Sequence, residues 1–305
     1  MGAILTPAFQ TSARGWGDAT EGRPLLQVSK PNDYQANTAV KGVAQDRDGV
    51  LYFGSDTLVQ YDGTSWQHFA AGDNHVINGL AIDEQGRIWV GGYGDIGYYD
   101  KDTAGQLHYT SLLSRLPPEH RSQLDIWGVE VTSRGVVFSA TNKILRWNGE
   151  SFHIWPLKDG RRALSQKIGD AVYTLNLETG LWKLEGDEPV LVVPYDPAAK
   201  ILPCYLKPLA DGSFLAVTTA GLARLEGSKL TLLPGDCGQF IKDNIFTCAT
   251  AIDDHTLAVG TYHGGVILVD IEGNILHVID RTSGLPDQAI NSLFLDREKN
   301  LWITT

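Results

Sequence analysis

A chain of 305 residues, 43% hydrophobic and 20% charged, is long enough to bury a large core. Its formal net charge of −11 and its lack of any Lys/Arg cluster exclude nucleic acid as a natural partner, because neutralising phosphates needs a basic face. Eight Trp, 11 Tyr and 9 Phe favour strands over helices, and no apolar run reaches the ~18 residues of a membrane-spanning helix, so no membrane contact is expected of this segment.

Residues 1–22 begin MGAILTPAFQTSARG, with neither a basic n-region nor an adequate apolar stretch, and read as a tail or the remnant of a signal peptide. Residues 23–31 (RPLLQVSKP) form a short apolar stretch with no unit of their own. From residue 38 the chain repeats itself. VKGVAQ (40–45) reads as an alternating strand a, DRDG as a turn, VLYFG (50–54) as strand b, TLVQYDG (57–63) as strand c and SWQHF (65–69) as strand d. The next unit gives INGLAI, DEQG, RIWVG and DIGYYD in the same order. The residue in the middle of strand b recurs at Tyr52, Trp89, Phe138, Tyr173, Ala216, Ala258 and Trp302, about 42 residues apart on average.

Repeats of this length made only of short strands predict propeller blades, with Asp and Gly supplying the reversals and aromatics packing between blades. The expected architecture is all-β: a seven-bladed β-propeller of four-stranded antiparallel blades, forming one domain over 23–305. Its blades are drawn at 38–74, 75–121, 122–160, 161–200, 201–239, 240–288 and a half-unit at 289–305. Because an open ring would expose two sheet edges, LLQVS in 23–31 is expected to serve as strand d of the last blade. Strand c is then sought beyond Thr305, which reads the chain as a fragment of a longer protein. A helical period is excluded everywhere but 111–124, where two consecutive prolines interrupt it.

The phrases INGLAIDEQGRIWVGG (77–92) and INSLFLDREKNLWITT (290–305) resemble the two-component regulator propeller repeat, N-x-V-x-x-I-x-x-D-x-x-G-x-L-W-I-G-T followed by G-L-x-x-[YF]-D. Asn78, Asp83, Gly86 and Trp89 carry the likeness in the first, and Asn291, Asp296, Leu301 and Trp302 in the second. The resemblance implies the sensor half of a bacterial signal-transduction protein, on the periplasmic or extracellular side of the inner membrane, with phosphorelay left to an output module outside this chain. The acidic turns also resemble the Asp-box of sialidases, but no arginine triad for a sialic-acid carboxylate can be assembled.

Signals for chemistry are sparse. The eight histidines form no H-x-H or H-E-x-x-H pair, and the phosphate-loop and nucleophile-elbow motifs are missing. GGYGDIG (91–97) lies between strands with no helix after it. Asp46, Asp48, Asp62, Asp83 and Asp296 sit where turns want Asp for geometry. Cys204, Cys237 and Cys248 have no metal-ligand spacing and read as unpaired thiols, although a Cys237–Cys248 bridge stays open for an exported protein. No catalytic residue, metal site or cofactor is expected, and the chain is read as a binding module and not an enzyme.

Strand direction places the b–c links and the long d–a connections (111–124, 194–203, 235–243, 280–289) on one face. Aligning units on strand b puts Lys41, Asn78, Trp127, Tyr205, Thr247 and Asn291 at one level of the innermost strand, with Arg162 in the fourth place. The expected ligand contacts are Asn78, Tyr93, Asp95, Asp125, Trp127, Tyr262 and His263. Aromatic rings beside amide and carboxylate groups suit a small molecule or oligosaccharide. A metal-dependent lactonase or lyase, and a protein-interaction scaffold, are the competing readings, and a homodimer through the propeller or through further domains is compatible with the first.

Overall fold

Apolar residues on strand b, closed off by tight turns that are Asp-centred in most repeats, produce the same local fold. The computed structural model describes residues 2–6, 25–29, 33, 39–70, 76–122, 124–158 and 163–305. They fall into two compact units, Tyr34–Pro197 and Met1–Asp33 with Ala198–Thr305. Strands β1 (Gly2–Thr6) and β2 (Leu25–Ser29) open the chain and belong to the second of these.

The 34–197 unit holds four blades. They are β3 (Gly42–Gln45), β4 (Leu51–Gly54), β5 (Leu58–Tyr61) and β6 (Trp66–Phe69); β7 (Val76–Ile82), β8 (Ile88–Tyr93), β9 (Ile96–Lys101) and β10 (Leu107–Ser111); β11 (Ile126–Thr132), β12 (Gly135–Ala140), β13 (Lys143–Trp147) and β14 (Phe152–Pro156); and β15 (Ala163–Ile168), β16 (Ala171–Asn176), β17 (Gly180–Leu184) and β18 (Val190–Pro194). Each is an antiparallel meander in which strands pair in sequence order. The core lies between blades. Tyr52 of β4 packs with Ile88 and Tyr99 of the next blade, Trp89 of β8 with Phe138 of β12, and Ile144 of β13 with Val172 of β16.

The other unit repeats the pattern with β19 (Pro203–Pro208), β20 (Phe214–Thr218), β21 (Gly221–Glu226) and β22 (Lys229–Leu232), then β23 (Phe246–Ala251), β24 (Thr256–Thr261), β25 (Val266–Asp270) and β26 (Ile275–Ile279). Six blades are thus runs of four consecutive strands. The last sheet is composite, in the order β2-β1-β28-β27, with β27 (Ser292–Leu295) and β28 (Leu301–Thr304) from the end of the chain.

The composite sheet corrects two expectations. Strand c, sought beyond Thr305, is β1, which pairs with β28 from Gly2↔Thr304 to Leu5↔Leu301. LLQVS does occupy the strand d place, yet it pairs with β1 and touches neither β27 nor β28 in the ladder. The short run Ala3, Ile4, Leu5 is too brief to signal a strand alone, and it takes its place only because the edge of β28 gives it a partner. Seven-bladed closure as first drawn therefore becomes six continuous blades and one sheet assembled from both ends of the chain.

Helices also depart from expectation. Segment 111–124 carries a 3-10 turn at Leu113–Arg115 and a four-residue helix α1 (Pro118–Arg121). An unanticipated helix α2 (Cys237–Asn244) fills the connection between β22 and β23, with Cys237 and Ile241 buried one turn apart on its inner face. No disulfide joins Cys237 to Cys248, so the bridge left open by the sequence is not formed. Burial pushes the Cys237 thiol above its usual range.

Candidate functional site

The innermost strands of four blades share an irregularity. In β7 the pairing jumps from Ile77↔Gly92 to Gly79↔Gly91, and in β11 from Ile126↔Ala140 to Gly128↔Ser139. The same skip leaves out Cys204 in β19 and Thr247 in β23. A bulge of this kind removes one residue from the ladder and re-aims its side chain. Asn78 and Trp127 are therefore the bulged residues of their strands, and the level deduced from the repeat alignment marks a real structural feature. In β19 the alignment errs by one, since the residue left out is Cys204 and not Tyr205.

Glycine lets two bulges approach. A Cβ on Gly79 would lie 3.0 Å from the Trp127 carbonyl oxygen and 3.2 Å from Gly128, so β7 and β11 meet backbone to backbone there. Asn78, 5% exposed, donates from Nδ2 to the Ile126 carbonyl at 3.0 Å and reaches Asp125 Oδ1 at 3.5 Å. Trp127 donates its indole N–H to Asp125 Oδ2 at 3.0 Å. The Lys41 ammonium stands over the Trp127 ring, 5.1 Å from its centroid. Four residues from three consecutive blades thus form one cluster, with Asp125 as its common acceptor. The Asn78 Oδ1 atom is buried and has no donor, an arrangement that costs free energy unless something supplies a hydrogen.

Tyr93 ends β8 and Asp95 lies on the β8–β9 link of the same unit. Tyr93 is 65% exposed and forms a bridge with Asp125, which joins it to the cluster through backbone. Asp95 is buried and committed elsewhere: Oδ1 accepts from the Ile96 N–H and the Ser111 hydroxyl, and Oδ2 from the Tyr109 hydroxyl at 2.8 Å. It anchors β10 to β9, and it helps burial hold the Tyr109 phenol above its usual range.

The second unit carries Tyr262 and His263. Both are exposed, their rings meet edge to face with centroids 4.8 Å apart, and their N–H groups donate to the Asn244 carbonyl at the end of α2. Beside them Ile245 is exposed and holds φ at +61°, a left-handed conformation unusual for a β-branched residue. Tyr205 is engaged by the neighbouring blade, its hydroxyl accepting from the Ala251 N–H at 3.1 Å, while Thr247 is buried and Asn291 half-buried. Arg162 lies outside the described residues. Sequence reasoning missed Glu130 on β11, which accepts a hydrogen bond from Ser165 of β15 at 3.2 Å and is pushed up to about 7, chiefly by burial. Among the described residues no three His, Cys, Asp or Glu side chains converge to hold a metal ion, and no helix is long and apolar enough to cross a membrane.

Residues 71–94 and 284–305 match the family model described as two component regulator propeller. Two segments of the chain are thus similar to the two component regulator propeller repeat. Both matches contain an Asn–Asp–Trp phrase, built around Asn78, Asp83 and Trp89 in one and Asn291, Asp296 and Trp302 in the other. The chain is similar to the extracellular domain of a putative hybrid two component system from B. thetaiotaomicron, at 18% identity and a TM-score of 0.67, covering 91% of this chain and 40% of that one. It thus spans well under half the length of that structure. It is also similar to selenomethionine-substituted virginiamycin B lyase from Staphylococcus aureus, at 13% identity and a TM-score of 0.63, covering 88% of this chain and 95% of the lyase. A catalytically inactive form of that lyase with quinupristin gives 11% identity and a TM-score of 0.65, with 91% and 97% covered. At these identities the likeness is one of fold, and propellers host unrelated functions. No curated protein sequence matches the chain.

Proposed function

We propose that this chain is the ligand-sensing, non-catalytic propeller of a two component regulator, acting on the extracytoplasmic side, with the composite sheet as its seventh blade. One observation carries the reading: two bulged inner-strand residues, Asn78 and Trp127, are gathered on one carboxylate, Asp125, beside an exposed Tyr93. The expected ligand is small, neutral and carbohydrate-like. The Trp127 ring can stack on the apolar face of a sugar, Asp125 accepts from hydroxyls, and Asn78 Oδ1 offers an acceptor with no donor of its own. Asp95 takes a supporting role, and Tyr262 with His263 forms a separate exposed contact surface in the other unit.

Titration calorimetry against a panel of neutral oligosaccharides tests this. Trp127→Ala should weaken binding by ~1–3 kcal/mol, the scale of one aromatic contact with its buried area. Trp66→Ala is the control, because Trp66 stacks on Tyr61 at 4.3 Å in the outer strand; it should lower stability and leave affinity unchanged. A sugar bound equally well by wild type and Trp127→Ala would place recognition elsewhere.

A further inference from the structure

Among the described residues three buried side-chain oxygens have no hydrogen-bond partner: Thr57 Oγ1 on the β4–β5 link, Asn78 Oδ1 and Asn142 Oδ1. Asn78 is the bulged residue near the start of β7, and Asn142 sits in the β12–β13 turn of the next blade. In an antiparallel meander the start of the first strand and the link from second to third strand fall at one end. Backbone connects the two amides. Asn78 Nδ2 reaches Asp125 Oδ1 at 3.5 Å, and the Thr141 N–H donates to the Asp125 carbonyl at 3.2 Å. One strand pairing and one chain step therefore separate Asp125 from Asn142, about 10 Å between backbones.

A cavity of about 360 Å³ opens beside Asn142, between the connection that follows β10 and the β12–β13 turn. That volume falls within the ~300–1,000 Å³ typical of small-molecule sites. Its walls are preformed. Arg121 donates from Nε to the Leu116 carbonyl at 2.7 Å and from Nη2 to the Ser114 carbonyl at 2.9 Å, which fixes the curve that carries Glu119, His120 and Ser122. On the facing wall the Leu157 N–H donates to the Asn142 carbonyl at 2.7 Å. A ligand would meet a site already ordered, so little conformational entropy opposes its entry.

The lining calls for hydrogen-bond donors. Asn142 Oδ1 is buried without a donor, so a hydroxyl entering against it would offset the cost of leaving it unsatisfied. The Glu119 carboxylate accepts and opposes an anion, while the Ser122 hydroxyl and the His120 imidazole can each donate or accept. Leu157 and Pro156 supply an apolar side. Lys143 also lines the cavity, but it has its partner within the protein and serves as wall. The Asn78–Trp127 cluster has the same make-up: a carboxylate in Asp125, a donorless amide oxygen in Asn78 and an apolar surface in the Trp127 ring. Two sites of one polarity, a single strand pairing apart, suit a ligand whose own chemistry repeats.

We propose that the cavity beside Asn142 is a second subsite of the sugar site, so that the ligand is a neutral oligosaccharide of at least two linked units. One unit lies on Trp127 and Asp125, and the next enters the cavity and donates a hydroxyl to Asn142. This inference rests on the carbohydrate reading of the Asn78–Trp127 cluster. The test titrates the folded chain by calorimetry with gluco-, manno- and xylo-oligosaccharides, each as a series of one to four units. In the series that binds, the two-unit sugar should bind about tenfold more tightly than the single unit, the scale of one or two added hydrogen bonds. Asn142→Leu, which removes the unsatisfied oxygen at similar volume, should return the longer sugars to the affinity of the single unit and leave the single unit unchanged. His120→Ala is the second variant, expected to weaken only the longer sugars, severalfold, with an unchanged melting curve. Trp127→Ala should weaken every length. Binding that is sensitive to Trp127→Ala but independent of length, or indifferent to both cavity variants, overturns the second subsite and leaves the sugar reading standing. Failure of all three series to bind the wild-type chain overturns both.

Discussion

The indole N–H of Trp89 donates to Asp83 Oδ2 at 2.8 Å, while Oδ1 of the same carboxylate accepts the backbone N–H groups of Gln85 and Arg87. One aspartate thus closes the a–b turn and ties it to the aromatic in the middle of strand b. The arrangement recurs with Trp302 Nε1 to Asp296 Oδ2 at 2.8 Å and Asn300 N to Oδ1 at 2.7 Å. In the first blade Tyr52 takes the place of Trp, its hydroxyl donating to Asp46 at 3.2 Å. The spacing D-x-x-G-x-L-W of the repeat is therefore a structural device: the aromatic must stand six residues after the aspartate for its polar edge to reach back across the turn.

Asp296→Ala should destabilise the protein by about 2–4 kcal/mol, because it strands the buried Trp302 indole N–H and the Asn300 N–H. Trp302→Phe removes one donor and leaves Asp296 with its Asn300 bonds, so about 1–2 kcal/mol is expected. Urea unfolding of both variants checks the order. Equal losses would mean that ring packing and not the carboxylate governs this turn.

That device explains how much could be read in advance. Tyr52, Trp89, Phe138, Tyr173, Ala216, Ala258 and Trp302 all lie buried on the second strand of their sheets, because a period-2 pattern and an Asp-Gly turn are both local signals. The bulge level at Asn78 and Trp127 was legible from the same alignment. Strand β1 was not, since its pairing with β28 is set by an edge about 300 residues away and not by its own pattern. Helix α2 escaped because eight residues with two buried positions barely differ from a strand in period. Asp95 reads as a contact by its place in a link, but its three hydrogen-bond donors are visible only in three dimensions. The cavity beside Lys143 joins residues from two separated segments and had no sequence signal.

Lys299 occupies the turn place that Gly49 and Gly86 hold in the other two acidic turns, and all three have positive φ, at 69°, 91° and 83°. A side chain in that region costs about 1–2 kcal/mol, part of which glycine returns through the entropy of the unfolded chain. Lys299→Gly is therefore expected to raise stability by about 0.5–1 kcal/mol. Chemical denaturation measures it, and a destabilised variant would show that the lysine side chain contributes more than its backbone strain removes.

Deleting residues 1–31 removes β1 and β2 together, leaving the outer edge of β28 unpaired and withdrawing Leu26 from the core formed by Leu285, Ile290, Leu293 and Ile303. An exposed strand edge invites pairing between molecules. The truncated protein should melt several degrees lower and associate on size-exclusion chromatography. A monomeric truncation with an unchanged melting curve would show that the composite sheet does not stabilise the fold.

Glu130 makes the stability of the inner strands depend on pH. Burial between β11 and β15 pushes its carboxyl from the ordinary value of 4.5 up to about 7, against the opposing pull of the Ser165 hydroxyl and Lys167. The folded state therefore holds this proton more tightly than the unfolded chain does. The resulting stabilisation is complete below about pH 4.5 and is lost as pH rises through about 7. A shift of this size corresponds to roughly 3–3.5 kcal/mol across that window. Glu130→Gln keeps a neutral, hydrogen-bonding group at all pH values, so the variant should match wild type at acid pH and exceed its stability above neutrality. Comparing urea midpoints of the two proteins from about pH 5 to pH 8 isolates the effect, since every other titrating group is common to both. Parallel curves would mean that Glu130 reaches water in the folded state and ionises as an ordinary carboxylate.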